Sequence, residues 1–140
     1  MTTFKTLTSD DRDIAMELMK LWYPHITHDP VYLDSILNKP HIQIYVVFKD
    51  GNLIGGATAY ILEMITRHAK ELFIYEVGIA KAHQNKGYGK LLMKYIQDEN
   101  SNNLSEAFIV TESDNLAANR LYQSAGYTGS SAQCYTTQIK

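Results

Sequence analysis

Cys134 is the only cysteine in the sequence, which excludes an internal disulfide and points to a reducing compartment, the cytoplasm. It lies in an alternating segment near the C-terminus with no local His or Asp, and reads as an ordinary strand residue rather than a nucleophile. Long apolar runs are missing too. No window reaches the length needed to span a bilayer, and Met1 to Lys5 shows no h-region. Basic charge is not in excess, since the formal net charge is -2. Neither nucleic acid nor an anionic membrane is expected as partner. Lys81, Lys86 and Lys90 form the one local basic cluster, enough for a phosphate-rich ligand but not for a duplex. Repeats, linkers and low-complexity tracts are absent. What is present is 140 residues, 45% of them hydrophobic. That is a single domain, 1–140, able to bury a core without metal or disulfide.

Only three prolines punctuate the chain, at 24, 30 and 40. Phe4 to Leu7 reads as extended. Thr8, Ser9 and Asp10 offer helix caps, and Ile14, Leu18 and Leu21 recur at helical spacing up to Pro24. Trp22 to Pro30 reads as a loop, and Val31 to Leu37 as a short helix. Ile42 to Phe48 and Leu53 to Tyr60 are β-prone around the turn Asp50-Gly51. Glu71 to Ile79 is a third strand of this run, with Phe73, Tyr75, Val77 and Ile79 expected on one face and Glu76 on the other. Leu91, Leu92, Tyr95 and Ile96 mark a helix, Ala107 to Val110 a strand, and Leu116 to Ser124 a helix stopped at Gly126. Gly129 to Ile139 is expected to close the sheet with one or two strands. The fold class is α/β (α+β): a mixed, mainly antiparallel sheet flanked by helices.

The segment His83 to Lys90 falls between a strong strand and a strong helix. Its glycines let backbone approach a ligand. Free N–H groups at the helix start can point at one anion. The spacing fits neither the P-loop nor the dinucleotide fingerprint. A different pyrophosphate ligand is the better match.

Gln84-Asn85-Lys86-Gly87-Tyr88-Gly89 resembles the Gln/Arg-x-x-Gly-x-Gly/Ala motif of the GCN5-related N-acetyltransferase (GNAT) family. The resemblance implies that Gln84 to Lys90 cradle the pyrophosphate of acetyl-CoA. Glu76-Val77-Gly78-Ile79 resembles that family's splayed central strand, whose free backbone groups pair with the pantetheine arm. Asn115-x-x-Ala118-x-x-Leu121-Tyr122-x-x-x-Gly126-Tyr127 resembles its second signature, implying coenzyme contacts at Asn115 and Asn119. Within the family, Leu53-Ile54-Gly55-Gly56 with Ala59-Tyr60, Ile74-Tyr75-Glu76-Val77, and Tyr32-Leu33 to Leu37 are similar to the small aminoglycoside 3-N-acetyltransferases. Gln84 stands where Arg is commoner, and Glu112 to Asn115 is less acidic than in those enzymes.

Acetyl transfer to an amine needs a neutral amine, an oxyanion donor and a proton for the leaving thiolate. Direct transfer in a ternary complex needs no protein nucleophile. The resemblance implies Tyr122 as general acid; otherwise it is one of ten tyrosines packing on the sheet. Glu76 is the candidate base, directly or through a water, or else an anchor for a cationic substrate. Trp22, Tyr23 and His25, with His28 and Asp29, would line the acceptor loop. Their loose spacing does not suggest a metal, and none is expected. The acceptor is a small-molecule primary amine, of aminoglycoside type by resemblance. A polyamine, amino acid or protein amine, or a module that binds coenzyme without turnover, are the alternatives. Ala132 to Ile139 could pair across a two-fold axis, so a homodimer is expected.

Overall fold

A computed structural model describes residues 1–140. The chain runs β1 (Thr2–Thr6), α1 (Arg12–Trp22), α2 (Pro30–Leu37), β2 (Ile42–Lys49), β3 (Asn52–Glu63), β4 (Lys70–Ile79), a 3-10 turn (Lys81–His83), α3 (Tyr88–Asn100), β5 (Glu106–Ile109) and α4 (Leu116–Ser124). Five strands lie in sequence order in one sheet. The first three pairings are antiparallel; β4 and β5 are parallel, joined by the α3 crossover. This is the mixed, mainly antiparallel sheet with flanking helices that the pattern of elements predicts.

Each face of the sheet buries its own cluster. On one face, α3 brings Leu92, Met93 and Ile96 onto Tyr45, Val47, Ile54, Ala57, Ala59, Leu72 and Ile74. On the other, α1 sets Leu18 against Ile44 and Val46, with Trp22, Phe48 and Leu53 at the margin. Alternation along β2 explains the division, since Ile44 and Val46 face α1 while Tyr45 and Val47 face α3.

α1 starts differently from expectation. Thr8, Ser9 and Asp10 do not cap it; Asp11 stands at the cap position and is almost fully buried. Its carboxylate turns back to accept from Lys5 Nζ at 2.7 Å, Thr8 N at 2.8 Å and Thr8 Oγ1 at 3.1 Å. Burial pushes its pKa up, but the bonds from Lys5 and Thr8 outweigh burial, so the pKa lies below the ordinary Asp value. A depressed folded pKa means stability that is present above the unfolded value and lost as pH falls. Asp11→Asn should therefore cost about 2 kcal/mol at neutral pH, because the Lys5 and Thr8 donors lose the charged acceptor that they share. Urea melts of both proteins should show the difference shrinking below about pH 4.

Two sequence expectations fail. Gly129 to Ile139 forms no strand. Tyr135 and Ile139 are 89% and 96% exposed, and Cys134 is exposed rather than set in a sheet. The tail has β-prone residues but no packed face, and propensity without packing or pairing does not hold a strand. The second failure concerns β4. Thr58 pairs with Glu76, but the next residue, Ala59, pairs with Ile74, so Tyr75 is an extra residue in the ladder. This β-bulge shifts the side-chain alternation. Val77 and Ile79 pack with Leu72 and Ile74 on the α3 face. Phe73 and Tyr75 lie on the opposite face beside Tyr60. Glu76 joins them there, since Thr58 and Tyr60 share that face of β3.

Candidate active site

β5 pairs with β4 only from Glu71 to Ile74. From Tyr75 to Ile79 the outer edge of β4 has no neighbouring strand. Ala80 N donates to Ile54 O at 2.7 Å, which makes that pair a hydrogen-bonded one. By the alternation of an antiparallel ladder, Gly78 then bonds toward Gly56, and Val77 and Ile79 turn their backbone groups to the open edge. Gln84 Nε2 reaches across to donate to Ile79 O at 2.9 Å, fixing the start of the following loop on the strand end.

That loop is shaped by left-handed backbone. Asn85 has φ 61° and Gly87 has φ 88°. Nothing lies within 4 Å of where a Gly87 side chain would begin, so conformation and not space demands glycine there. Gly87 precedes α3 without a side-chain cap, and the first intrahelical donor is Leu91, bonding Gly87 O at 3.1 Å. The amides of Tyr88, Gly89 and Lys90 therefore lack helical partners and open toward one anion site. Lys86 and Lys90 are exposed nearby. Gly89 serves packing instead. A side chain there would start 3.1 Å from Leu121, so its absence lets α3 and α4 approach closely.

Glu76 is held by two hydroxyls. Thr58 Oγ1 donates to Oε1 at 3.3 Å, and the Tyr23 hydroxyl donates to Oε2. The bond to Glu76, then burial, raises the Tyr23 pKa, so Tyr23 keeps its proton and remains a donor. Thr58 was not legible as a site residue, because only the β3–β4 register puts it opposite Glu76. Trp22 Nε1 donates to Gly78 O at 3.2 Å. The same nitrogen would sit 2.6 Å from a side chain at Gly78, so that glycine makes room for the indole. Trp22 is thus fastened to the strand, while Tyr23 reaches the carboxylate.

The rest of the acceptor loop divides. His25 is exposed and is not brought to Glu76. His28 Nε2 lies 3.1 Å from Tyr23 O, and Asp29 caps α2 by accepting from Val31 N at 2.9 Å. No three His, Cys, Asp or Glu side chains converge as a metal site.

Tyr122 lies half-buried on the α3 face of the sheet, packed against the core cluster that also carries Val77, Ile79 and Tyr88 at its margin. Burial, and then the neighbouring Tyr127, pushes its phenol pKa up, with no hydrogen bond within the chain contributing. Glu76 and Tyr122 therefore lie on opposite faces of the sheet. Asn115 and Asn119 each engage one side-chain atom within the chain. Asn115 Oδ1 caps α4 by accepting from Ala118 N at 3.1 Å, and Asn119 Nδ2 donates to Asn115 O at 2.8 Å and Glu112 O at 3.2 Å.

Residues 10–127 match the model of the acetyltransferase (GNAT) family. Sequence comparison with curated proteins finds no match. Among solved structures, an aminoglycoside acetyltransferase from an uncultured soil metagenomic sample, in complex with sisomicin, superposes with a TM-score of 0.87. It is 20% identical, over 98% of this chain and 96% of that one. The aminoglycoside acetyltransferase AAC(6')-Iy, with the bisubstrate analog CoA-S-monomethyl-acetylneamine, gives 0.83 at 18% identity over 100% and 99%. Ribosomal-protein-alanine N-acetyltransferase from Brucella melitensis gives 0.81 at 16% identity over 99% of both chains. Such identities speak to the fold, and the family match covers the strand, loop and helices of the site. The chain belongs to the acetyltransferase (GNAT) family and is an acetyl-CoA-dependent acetyltransferase.

Proposed function

We propose that this enzyme transfers acetyl directly from acetyl-CoA to a primary amine of a small, aminoglycoside-like acceptor in a ternary complex. The observation that carries the reading is the open edge of β4, with a carboxylate on one face and a protonated phenol on the other. The amides of Tyr88, Gly89 and Lys90, with Lys86, would hold the coenzyme pyrophosphate. Val77 and Ile79 would pair with its pantetheine arm. The thioester then lies at the edge between Glu76 and Tyr122. The amine nitrogen forms its bond to the acetyl carbon as the carbon–sulfur bond breaks. Glu76 accepts the amine proton, directly or through a water, and Tyr122 supplies one to the leaving sulfur. Thr58 and Tyr23 hold the carboxylate in place for this work. Structural neighbours that act on aminoglycosides support the acceptor class, and the sequence resemblance favours the 3-amino position.

Thiol release with a panel of amines tests the activity, and NMR of the product locates the new amide. Acetylation at a different amino group would overturn the positional assignment; no aminoglycoside turnover would overturn the acceptor class. Glu76→Gln tests the carboxylate. As base, its loss should remove the acidic limb of the pH–rate profile, with a deficit that shrinks from about pH 6 to about pH 9 as free amine becomes common. As anchor, its loss should raise KM and spare kcat. Parental constants throughout would exclude both roles.

A further inference from the structure

The face of the sheet that carries Glu76 is covered by α1 and α2 over β2 and β3 and by Trp22 and Tyr23 at the Glu76–Gly78 end of β4, but not over Phe73, Tyr75 and β5. There it exposes a set of aromatic rings. Tyr60 lies edge-on to Tyr75 at 5.7 Å between centroids, and Tyr75 edge-on to Phe73 at 5.6 Å. Phe73 stacks flat on Phe108 at 4.8 Å and 4°. Tyr75 and Phe108 are 57% and 37% exposed. Four adjoining rings, Tyr75 and Phe108 exposed and Tyr60 and Phe73 half-buried beside them, call for an occupant, since such patches on a monomer are seldom idle.

The charges at its two ends say which. Glu76 stands at one end, directly beside Tyr75. At the other, Glu106 shares the face of β5 with Phe108 by two-residue alternation, is exposed, and opposes Glu71 across the ladder. Glu71 is paired to Arg67 at 3.4 Å, whereas Glu106 enters no ion pair. From Thr58, opposite Glu76, to Leu62, opposite Glu71, β3 advances about 13 Å. A carboxylate, an aromatic floor and a second carboxylate at that span complement a long, multiply charged ligand with flat faces. Ammonium groups gain from aromatic faces as well as from carboxylates.

Resting on the reaction assigned above, the geometry points to this face as an extended acceptor subsite that selects three-ring aminoglycosides. Tyr75 and Phe73 floor the ring that carries the reacting amine. Phe108 and Glu106 hold the far aminosugar, Glu106 as the remote ammonium anchor. These are specificity residues: they grip parts of the acceptor that do not react, equally in ground and transition states.

Kanamycin B and neamine test this, because they share two rings and differ by a third aminosugar. Glu106→Gln should raise KM for kanamycin B about threefold to fivefold, with kcat within about twofold, and leave neamine kinetics unchanged. Tyr75→Ala should raise KM for both acceptors about fivefold. Both side chains are exposed, and melting temperature checks that each variant folds. Equal effects of Glu106→Gln on the two acceptors, or none on either, would overturn the subsite even if the parent acetylates both. So would a changed elution volume of Tyr75→Ala, which would make the rings an interface between copies. A parent that acetylates linear polyamines and not aminoglycosides would overturn the acceptor assignment and the subsite together.

Discussion

Tyr122→Phe should lower kcat about a hundredfold, the ordinary scale of a general acid, while leaving acetyl-CoA affinity within about twofold. The ring stays, so packing against the buried cluster of the α3 face is kept. Only the hydroxyl is lost. Burial raises its pKa first, with Tyr127 adding to it, so the phenol carries its proton across the neutral range and beyond about pH 10. A thiol leaving as thiolate, with an ordinary pKa near about 8.5, can take that proton or a hydrogen bond from it. The deficit should therefore be steady from about pH 6 to about pH 9, because Tyr122 does not titrate there. Stopped assays with saturating acetyl-CoA and calorimetry of coenzyme binding separate the two effects. Full turnover in the variant would leave Tyr122 a packing residue and require another proton source.

Gly87→Asp should weaken acetyl-CoA binding about thirtyfold. Its carboxylate would stand at the first turn of α3, where the free amides would meet the pyrophosphate. Two like-charge contacts at about 4 Å cost about 1 kcal/mol each even at the dielectric of water, and every 1.4 kcal/mol is tenfold in affinity. Backbone strain adds to this, because φ at Gly87 is 88°. Gly87→Asn separates the causes. It bears similar strain without the charge and should lose only a few-fold. Calorimetry on the parent and both variants reads this directly. Equal losses in the two variants would assign the effect to conformation, and unchanged affinity in Gly87→Asp would remove the loop from the coenzyme site.

The geometry of the loop before α3 was legible because it is set by neighbouring residues. A strand end, a glycine at a left-handed position and a helix start with free amides are all written between Ile79 and Leu91. Local signals erred where a long-range partner decides. Gly129 to Ile139 has the residues of a strand, yet it packs against nothing and stays irregular. Asp11 drew no notice in the sequence, because its partner Lys5 comes from the preceding strand across a turn.

The sequence by itself determined the order of elements up to α4, the glycine-bearing loop before α3 and the presence of a carboxylate and a tyrosine at motif positions. Only the tertiary structure decided which way they face. Strict alternation puts Tyr75 with Val77 and Ile79, opposite Glu76. In the sheet, β3 skips Tyr75 in pairing, and the extra residue sets ring and carboxylate side by side on the face reached by Tyr23. A bulge is a property of two strands in register, not of either strand alone. No pattern within β4 marks where its partner will miss a step, so the orientation of the catalytic face could emerge only when the strands were paired.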